Sequence, residues 1–297
     1  MGSKIKSFFM ALGYLLIAAI IQIIVSFIGG TITAKKHLSK QVENNLLNME
    51  SQNMTNMINE VFGNFNYILL VSSILTVLIF LLIYKIKKRK LFEEILLKRT
   101  KNINFGTGIL TGIFAWLFNS GILYLLLQNR KFLQHFDTMD EILNPLYQGN
   151  LFIIILTIGI VAPFVEEFLF RGIVYKTLSK NISISAVIVI QGILFGIYHL
   201  NIIQAVYASL LGIIFGFIKY KTQSLWPAIA AHMANNIMAV IIPTIAGDKF
   251  SSATCIIFII IGLIGTIITL FFIHRNNPKT MDESIKINSE IYDFEEY

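Results

Sequence analysis

Residues 151–176 read LFIIILTIGIVAPFVEEFLFRGIVYK, an apolar stretch with two carboxylates and one arginine inside it. A helix needs about 20 apolar residues to cross the hydrocarbon core of a bilayer. A charged group in that core costs about 2.5–3.5 kcal/mol even on the gentler insertion scale. The stretch therefore predicts a transmembrane helix in which Glu166, Glu167 and Arg171 are retained for a structural or chemical reason.

The composition of the whole chain agrees with a membrane protein. Of its 297 residues, 55% are hydrophobic and only 14% are charged, whereas about a quarter of the residues in a soluble domain are charged. The apolar residues gather into runs that match the thickness of a bilayer. We predict an all-α fold, a polytopic transmembrane helix bundle of about eight spans. The predicted spans are residues 8–28, 67–84, 105–127, 151–176, 182–198, 203–218, 225–242 and 253–273.

The distribution of basic residues predicts the orientation of the chain. With Lys4 and Lys6 in the cytoplasm and eight crossings, most of the 24 Lys and Arg residues fall on the cytoplasmic side, as the positive-inside rule requires. We expect both termini to be cytoplasmic and the protein to reside in the plasma membrane. The net charge of +7 does not indicate nucleic-acid binding, because the basic residues flank the apolar runs.

One basic segment favours contact with lipid. Residues 85–101 begin at Lys85 with a cluster of basic side chains and end at Lys101. One face of a short predicted helix within them carries Leu91, Phe92, Ile95 and Leu96. This pattern is typical of an amphipathic segment on the inner leaflet that binds anionic lipid. A solvated cluster of charges that stops membrane transfer explains the pattern equally well.

Helical spacing separates the roles of the two adjacent carboxylates. Glu167 and Arg171 are four residues apart and lie on one helix face, where they can pair. Glu166 is rotated by about 100° from Glu167, which leaves it free for acid-base chemistry. Pro163 lies one turn earlier and removes a backbone hydrogen bond beside the predicted site.

Two later spans bring further polar groups. The fifth span ends with Phe195-Gly-Ile-Tyr-His199, and the seventh contains His232-Met-Ala-Asn-Asn236. A single His near a membrane interface is most often a hydrogen-bonded polar residue without further function. Counted from the helix turns on one side, however, Glu166, both histidines and Asn236 fall within a band about 12 Å deep. One polar pocket inside the bilayer is therefore predicted.

These residues resemble the three ordered motifs of the CPBP family of intramembrane proteases, which includes CAAX prenyl proteases and bacteriocin-processing or immunity proteins. The motifs are Glu-Glu-x-x-x-Arg from Glu166 to Arg171, Phe-x-x-x-His from Phe195 to His199, and His-x-x-x-Asn from His232 to Asn236. The resemblance covers residues 166–236. The first 150 residues carry no such motif, so it implies nothing about substrate choice.

Amide hydrolysis needs an activated water, stabilisation of the oxyanion and a proton for the leaving amine. Glu166 with His199 is the candidate for water activation, and His232 with Asn236 for oxyanion stabilisation; the resemblance implies the same roles. Glu166, His199 and His232 are also candidate ligands of a Zn²⁺ ion with an open fourth position. The chain has no His-Glu-x-x-His helix, so metal-assisted and glutamate-based hydrolysis both stay open. The lone Cys255 excludes an intramolecular disulfide and a cysteine metal cluster.

The sequence thus predicts four regions. Residues 1–150 supply N-terminal transmembrane helices and amphipathic segments, and residues 151–245 supply the catalytic transmembrane core. Residues 246–274 form the last transmembrane helix, and residues 275–297 form an acidic cytoplasmic tail.

The predicted substrate is a peptide or membrane protein, lipid-modified or not. One rival interpretation is a non-catalytic membrane scaffold or bacteriocin-immunity factor with the same fold. A secondary transporter is a second rival, because buried Glu, His and Asn also suit ion relays, although the chain lacks an inverted repeat. A Ser-His-Asp peptidase is disfavoured, since no serine lies in a nucleophile motif.

Overall fold

The computed structural model describes residues 2–43, 51–247 and 250–278, which form helices and no strands. Two short 3₁₀ turns, Arg130–Phe132 and Asn144–Tyr147, lie between longer helices. The helices are α1 (Gly2–Glu43), α2 (Ser51–Gly63), α3 (Phe65–Ile86), α4 (Leu91–Glu94), α5 (Asn102–Leu127), α6 (Leu133–Leu143), α7 (Leu151–Ser179), α8 (Ile184–Tyr198), α9 (Ile202–Thr222), α10 (Trp226–Ala246) and α11 (Ser252–Asn276).

The predicted all-α bundle of about eight spans is confirmed. Within the described residues, seven helices are long and apolar enough to cross a membrane, namely α1, α3, α5, α7, α9, α10 and α11. The shorter apolar helix α8 supplies the eighth predicted span. Large apolar side chains such as Ile257, Ile260 and Ile264 of α11 point outward from the bundle. This is the arrangement that a lipid environment favours, and the protein is accordingly an integral, multi-pass membrane protein.

The first helix is longer than the predicted span of residues 8–28. It continues unbroken from Gly2 to Glu43. Near its end, His37 Nδ1 lies 2.6 Å from Glu60 Oε2 of α2, and this hydrogen bond lowers the pKa of the Glu60 carboxyl. The contact ties α1 to the polar segment that precedes α3. Of the predicted acidic tail, residues 279–297 lie outside the described residues.

Helix α7 changes its winding twice around the Glu-Glu-x-x-x-Arg motif. Residues Ile155–Val161 and Phe168–Val174 are π-helical, and the α-helical turn Ala162–Glu167 between them carries Glu166 and Glu167. π-Helical turns inside α-helices are rare and often occur at functional sites. Pro163, which predicts an irregularity at this point, lies two residues after the end of the first π segment.

Helices α5 and α10 pack unusually closely. A Cβ atom on Gly112 would lie 1.9 Å from the carbonyl oxygen of Ala231, and one on Gly108 would lie 2.5 Å from that of Pro227. Only glycine permits the two backbones to approach this far, as in other membrane helix pairs with small residues at the contact. The close packing fixes α10, which carries His232 and Asn236, against α5.

The basic segment at residues 85–101 differs from its prediction. Its helix is the single turn Leu91–Glu94, and Leu91 and Ile95 are buried against the protein core rather than presented to a leaflet. Phe92 is exposed. Arg89 pairs with Glu94, and Lys90 pairs with Glu93. The prediction of a membrane-facing apolar side is therefore wrong for Leu91 and Ile95, whereas contact with anionic lipid stays a prediction.

Candidate active site

The four residues assigned to catalysis from sequence line one cavity. Its volume is about 1210 Å³, and Glu166, His199, His232 and Asn236 all face it. Glu166 lies on α7, His199 directly follows α8, and His232 and Asn236 lie on α10, while α1, α3, α5 and α9 supply most of the rest of the wall. The cavity is lined mainly by apolar side chains, so the polar residues form a small cluster within a largely apolar enclosure. Such a pocket is typical of ligand and active sites.

Charged and polar side chains form a continuous chain on one side of the cavity. Arg171 Nη1 lies 2.9 Å from Glu167 Oε1, and the same oxygen lies 2.8 Å from His232 Nδ1. On the opposite side of its ring, His232 Nε2 lies 3.5 Å from Glu166 Oε2. The order along this chain is Arg171, Glu167, His232, Glu166, and His232 bridges the two carboxylates.

The Arg171 guanidinium is enclosed completely. Its side chain and that of Glu167 are 0% exposed, and its Cζ lies 4.3 Å from the centre of the Phe195 ring and 5.4 Å from that of Phe215. The nitrogens of Arg171 form no well-directed hydrogen bond with the described residues, so its contact with Glu167 is ionic. A carboxylate partner and two aromatic faces thus stabilise the buried cation.

The partners of His232 determine how its ring is protonated. An ionised carboxylate only accepts hydrogen bonds, so Nδ1 carries a proton and donates it to Glu167. Nε2 then faces Glu166, and this contact is favourable only when either Nε2 or the carboxyl also carries a proton. With His232 protonated and Glu166 ionised, the charges of Arg171, Glu167, His232 and Glu166 alternate and sum to zero. That balance makes the burial of four ionisable groups tolerable.

His199 is oriented by the end of its own helix. Its Nδ1 lies 2.8 Å from the carbonyl oxygen of Phe195, which can only accept, so the proton is on Nδ1 and Nε2 is left able to accept one. The Phe195 ring meets the rings of His199 and His232 edge to face, at 4.9 and 5.5 Å between centroids. Phe195, the first residue of the Phe-x-x-x-His motif, thus contacts both histidines and Arg171 and supports their positions.

Asn236 is held by the irregular winding of α7. The N–H of Ala162 bonds to the carbonyl of Thr157, five residues back. With the same five-residue spacing, the Ile158 carbonyl would accept a hydrogen bond from the N–H of residue 163, but Pro163 has no N–H. Asn236 Nδ2 donates to this Ile158 oxygen at 3.1 Å. The hydrogen bond uses one of the two Nδ2 hydrogens and leaves the second for another acceptor.

Asn235 supports Asn236 from the same helix. Asn235 Nδ2 donates to Asn236 Oδ1 at 3.1 Å, so both ends of the Asn236 amide are fixed. Asn235 is 7% exposed, lines the cavity, and has its own Oδ1 without a hydrogen-bond partner among the described residues. Sequence analysis missed this residue, although an adjacent Asn in a transmembrane helix is itself an unusual polar signal.

The three candidate zinc ligands do not form a metal-binding group in this arrangement. Within residues 2–43, 51–247 and 250–278, no set of three His, Cys, Asp or Glu side chains is placed to hold a metal ion. Glu166 and His232 contact each other, and the bond of His199 Nδ1 to Phe195 leaves its Nε2 as the nitrogen that could bind a metal. Metal assistance stays a prediction, and no step below is routed through a metal.

The central part of the chain matches known proteins. The family model of type II CAAX prenyl endopeptidase Rce1-like proteins matches residues 148–238. A curated protein of Bacillus subtilis (strain 168), "Putative membrane peptidase YdiL", is 29% identical over 89 residues. That alignment covers 30% of this chain and 36% of the relative, so the chain spans about a third of the relative's length. No solved structure matches the chain. Residues 148–238 are therefore similar to the CPBP/CAAX protease family, whose motifs the sequence resembles.

Proposed function

We propose that this protein is an intramembrane endopeptidase that hydrolyses a peptide bond of a membrane-associated peptide or protein. The observation that carries the proposal is the placement of Glu166, His199, His232 and Asn236 on one cavity within the bundle. The match of residues 148–238 to a membrane endopeptidase family supports the same reaction class. Much of the rest of the wall, from α1, α3 and α5, comes from outside that match, so the identity of the substrate is part of the proposal.

In the proposed reaction, Glu166 activates a water molecule in the cavity. Its carboxylate takes one proton as the oxygen attacks the carbonyl carbon, with His199 Nε2 as a second acceptor for the hydrogen bonds of that water. A C–O bond forms and the carbonyl π electrons move onto oxygen. When the C–N bond breaks, the proton held by Glu166 passes to the departing nitrogen. General acid-base catalysis of this kind contributes typically 10²–10⁴-fold to a rate.

The negative charge on the carbonyl oxygen needs donors that are in place before reaction. Protonated His232 offers Nε2–H, and Asn236 offers the Nδ2 hydrogen that Ile158 does not use. The hydrogen bond from His232 to Glu167 and the ion pair of Glu167 with Arg171 stabilise the imidazolium. Glu167 and Arg171 thus have a supporting role in the mechanism in addition to their pairing.

We also propose the orientation predicted from sequence, with both termini cytoplasmic in the plasma membrane and with anionic lipid beside residues 85–101. Two of the basic side chains there, Arg89 and Lys90, are paired with acidic neighbours. Lys87 lies 3.3 Å from the hydroxyl of Tyr14, and Lys101 donates to the carbonyl of Asn276. Lipid contact is therefore proposed for the remaining exposed basic residues, Lys85, Lys88, Lys98 and Arg99.

The test is cleavage of membrane-anchored reporter peptides by the detergent-purified protein. Wild type is compared with Glu166→Gln and His232→Ala, each with and without a zinc chelator. Glu93→Gln is the matched control, because this carboxylate has a side chain that is 70% exposed on the surface. We expect cleavage by wild type and Glu93→Gln only, unaffected by the chelator.

Other outcomes are equally informative. Loss of wild-type cleavage with chelator, restored by zinc, would establish a metal-dependent enzyme and overturn the metal-free mechanism. A folded wild type that cuts none of the reporters, or a Glu166→Gln variant that cuts as well as wild type, contradicts the proposed function. The former result would favour a membrane scaffold or immunity factor, and proton-coupled uptake in vesicles would favour a transporter.

A further inference from the structure

The part of the cavity wall formed by α3 and α5 contains polar groups that the proposed reaction does not use. Ser73 of α3 and Asn119 and Ser120 of α5 line the cavity. They are 6%, 8% and 9% exposed. Their side chains have no hydrogen-bond partner among the described residues, whereas Thr76 of the same wall bonds to the Ser72 carbonyl within its own helix. Three buried polar side chains thus line the cavity without a protein partner among the described residues.

The level of Asn119 follows from the packing of α5 on α10. Gly108 meets Pro227 and Gly112 meets Ala231, and each pair is 119 positions apart, so the two helices run parallel in register. By the same offset, Asn119 lies at the level of Met238, six residues beyond His232. At 1.5 Å per helical residue this is about 9 Å from the reaction centre. An extended chain rises about 3.3 Å per residue, so Asn119 would meet a substrate about three residues from the bond that is cut.

The chemistry of this wall points to a neutral ligand with both donors and acceptors. Among the described residues that line the cavity, none is Lys or Arg, and Glu166 is the only carboxylate. An anionic headgroup therefore finds no Lys or Arg partner there. An amide side chain offers one acceptor and two donor hydrogens, and a hydroxyl offers both functions. A peptide group, with one N–H and one C=O, matches them.

An extended peptide needs such partners inside a membrane protein. A helix bonds its own N–H and C=O groups, but an extended segment leaves them open, and each unpaired group costs free energy in an apolar enclosure. An alkyl or isoprenoid chain has no polar group and would leave Ser73, Asn119 and Ser120 unpaired. The observations favour polypeptide over lipid at this level of the cavity.

We propose that Asn119, with Ser120 beside it and Ser73 on α3, forms a subsite that binds the backbone of an extended polypeptide about three residues from the cleaved bond. This inference rests on the proposed function for the position of that bond. It deepens that function by assigning backbone recognition to the part of the chain outside residues 148–238. Selection at this subsite depends on an extended, unmodified backbone rather than on a lipid group.

The experiment measures binding without catalysis. Glu166→Gln protein in detergent is titrated into a fluorescent peptide of repeating Leu and Ala, and anisotropy reports the Kd. A second peptide of the same sequence carries N-methyl groups on alternate residues, which removes backbone donors. The matched pair of variants is Asn119→Leu, on the cavity wall, and Asn102→Leu, the same change at an exposed position of the same helix.

We expect Asn119→Leu to weaken binding of the unmethylated peptide about fivefold to tenfold, because a buried hydrogen bond is lost. Asn102→Leu leaves the Kd unchanged. N-methylation weakens binding to Glu166→Gln protein, and this penalty shrinks when Asn119 is also replaced. A purely structural role for Asn119 would not remove the effect of N-methylation.

Equal affinities for the two variants, or insensitivity to N-methylation, would overturn the subsite. Displacement of the peptide by farnesol with the same potency in both variants would assign this region to a lipid chain instead. If Asn119→Leu lowers the melting temperature, Ser120→Ala replaces it as the test, since it removes a hydroxyl without adding bulk. Binding that depends on Asn119 while the wild type cuts no reporter would retain the subsite and reject the proposed function.

Discussion

The two walls of the cavity differ in how their polar side chains are bonded. On the wall from α7, α8 and α10, polar side chains contact one another or backbone in two networks. Ionic contacts and a hydrogen bond connect Arg171 to Glu166 through Glu167 and His232, and hydrogen bonds connect Asn235 to Ile158 through Asn236. On the wall from α3 and α5, the buried side chains of Ser73, Asn119 and Ser120 have no hydrogen-bond partner among the described residues.

This difference indicates that one wall stabilises charge during the reaction and the other binds the substrate. Groups that stabilise developing charge must be fixed before reaction, because their reorganisation would cost free energy at the transition state. Groups that bind a substrate backbone must instead have free donors and acceptors. The wall from α7, α8 and α10, here called the bonded wall, falls within the family match, and the wall from α3 and α5, here called the open wall, falls outside it. We therefore expect the chemistry to be shared with relatives and the substrate recognition to be particular to this chain.

The largest effect is expected on stability, for replacement of Arg171, which is buried at the end of the network on the bonded wall. Arg171→Ala leaves Glu167 without its cation in a site that is 0% exposed, and breaking a buried pair in this way costs about 3–5 kcal/mol. The melting temperature in detergent and the yield of folded protein should both fall. Arg275→Ala, at an exposed position near the end of α11, is the control. Unchanged stability of Arg171→Ala would show that the pair does not support the fold.

Asn236→Ala should act on the reaction more than on the fold. Removal of one preorganised oxyanion donor lowers kcat by about 10²–10³. KM should change little, since the donor matters most after the negative charge has formed. Steady-state kinetics on a cleaved reporter checks this, with the melting temperature as the control for folding. A rise in KM at constant kcat would instead place Asn236 in ground-state binding.

Asn235→Ala should lower kcat about tenfold, because it frees one end of the Asn236 amide and allows the side chain to rotate away from its donor position. If Asn235 acts through Asn236, then Asn235→Ala/Asn236→Ala will be no slower than Asn236→Ala alone. A double-mutant cycle measures this coupling. Additive losses would mean that Asn235 has an independent role.

The sequence predicted the helices and the paired charges because both depend on local spacing. Glu167 and Arg171 are four residues apart, and the pair follows from helical geometry. The levels of Glu166, His199, His232 and Asn236 also followed from helix length, and the structure places all four on one cavity.

Other features could not be read from spacing. The bond between His232 and Glu167 joins residues 65 positions apart, and it depends on how α7 and α10 are rotated about their axes. The π-helical turns of α7 change that rotation, and Pro163 marks their place without specifying their winding. Leu91 and Ile95 formed an apolar face that sequence assigned to the membrane, although the protein core covers it.

The smallest effect on stability is expected on the open wall, and it tests whether the polar side chains there support the fold. Ser73→Ala removes a buried hydroxyl that bonds to none of the described residues, so no hydrogen bond is lost and the free energy of unfolding should stay within about 0.5 kcal/mol of wild type. Thr111→Val is the matched comparison, because the Thr111 hydroxyl is buried and lies 3.0 Å from Thr269 Oγ1 on α11. That change should cost about 1 kcal/mol. Thermal melting of both variants without peptide measures the difference. A loss for Ser73→Ala as large as that for Thr111→Val would mean that Ser73 supports the fold, and that the wall from α3 and α5 is not held open for a ligand.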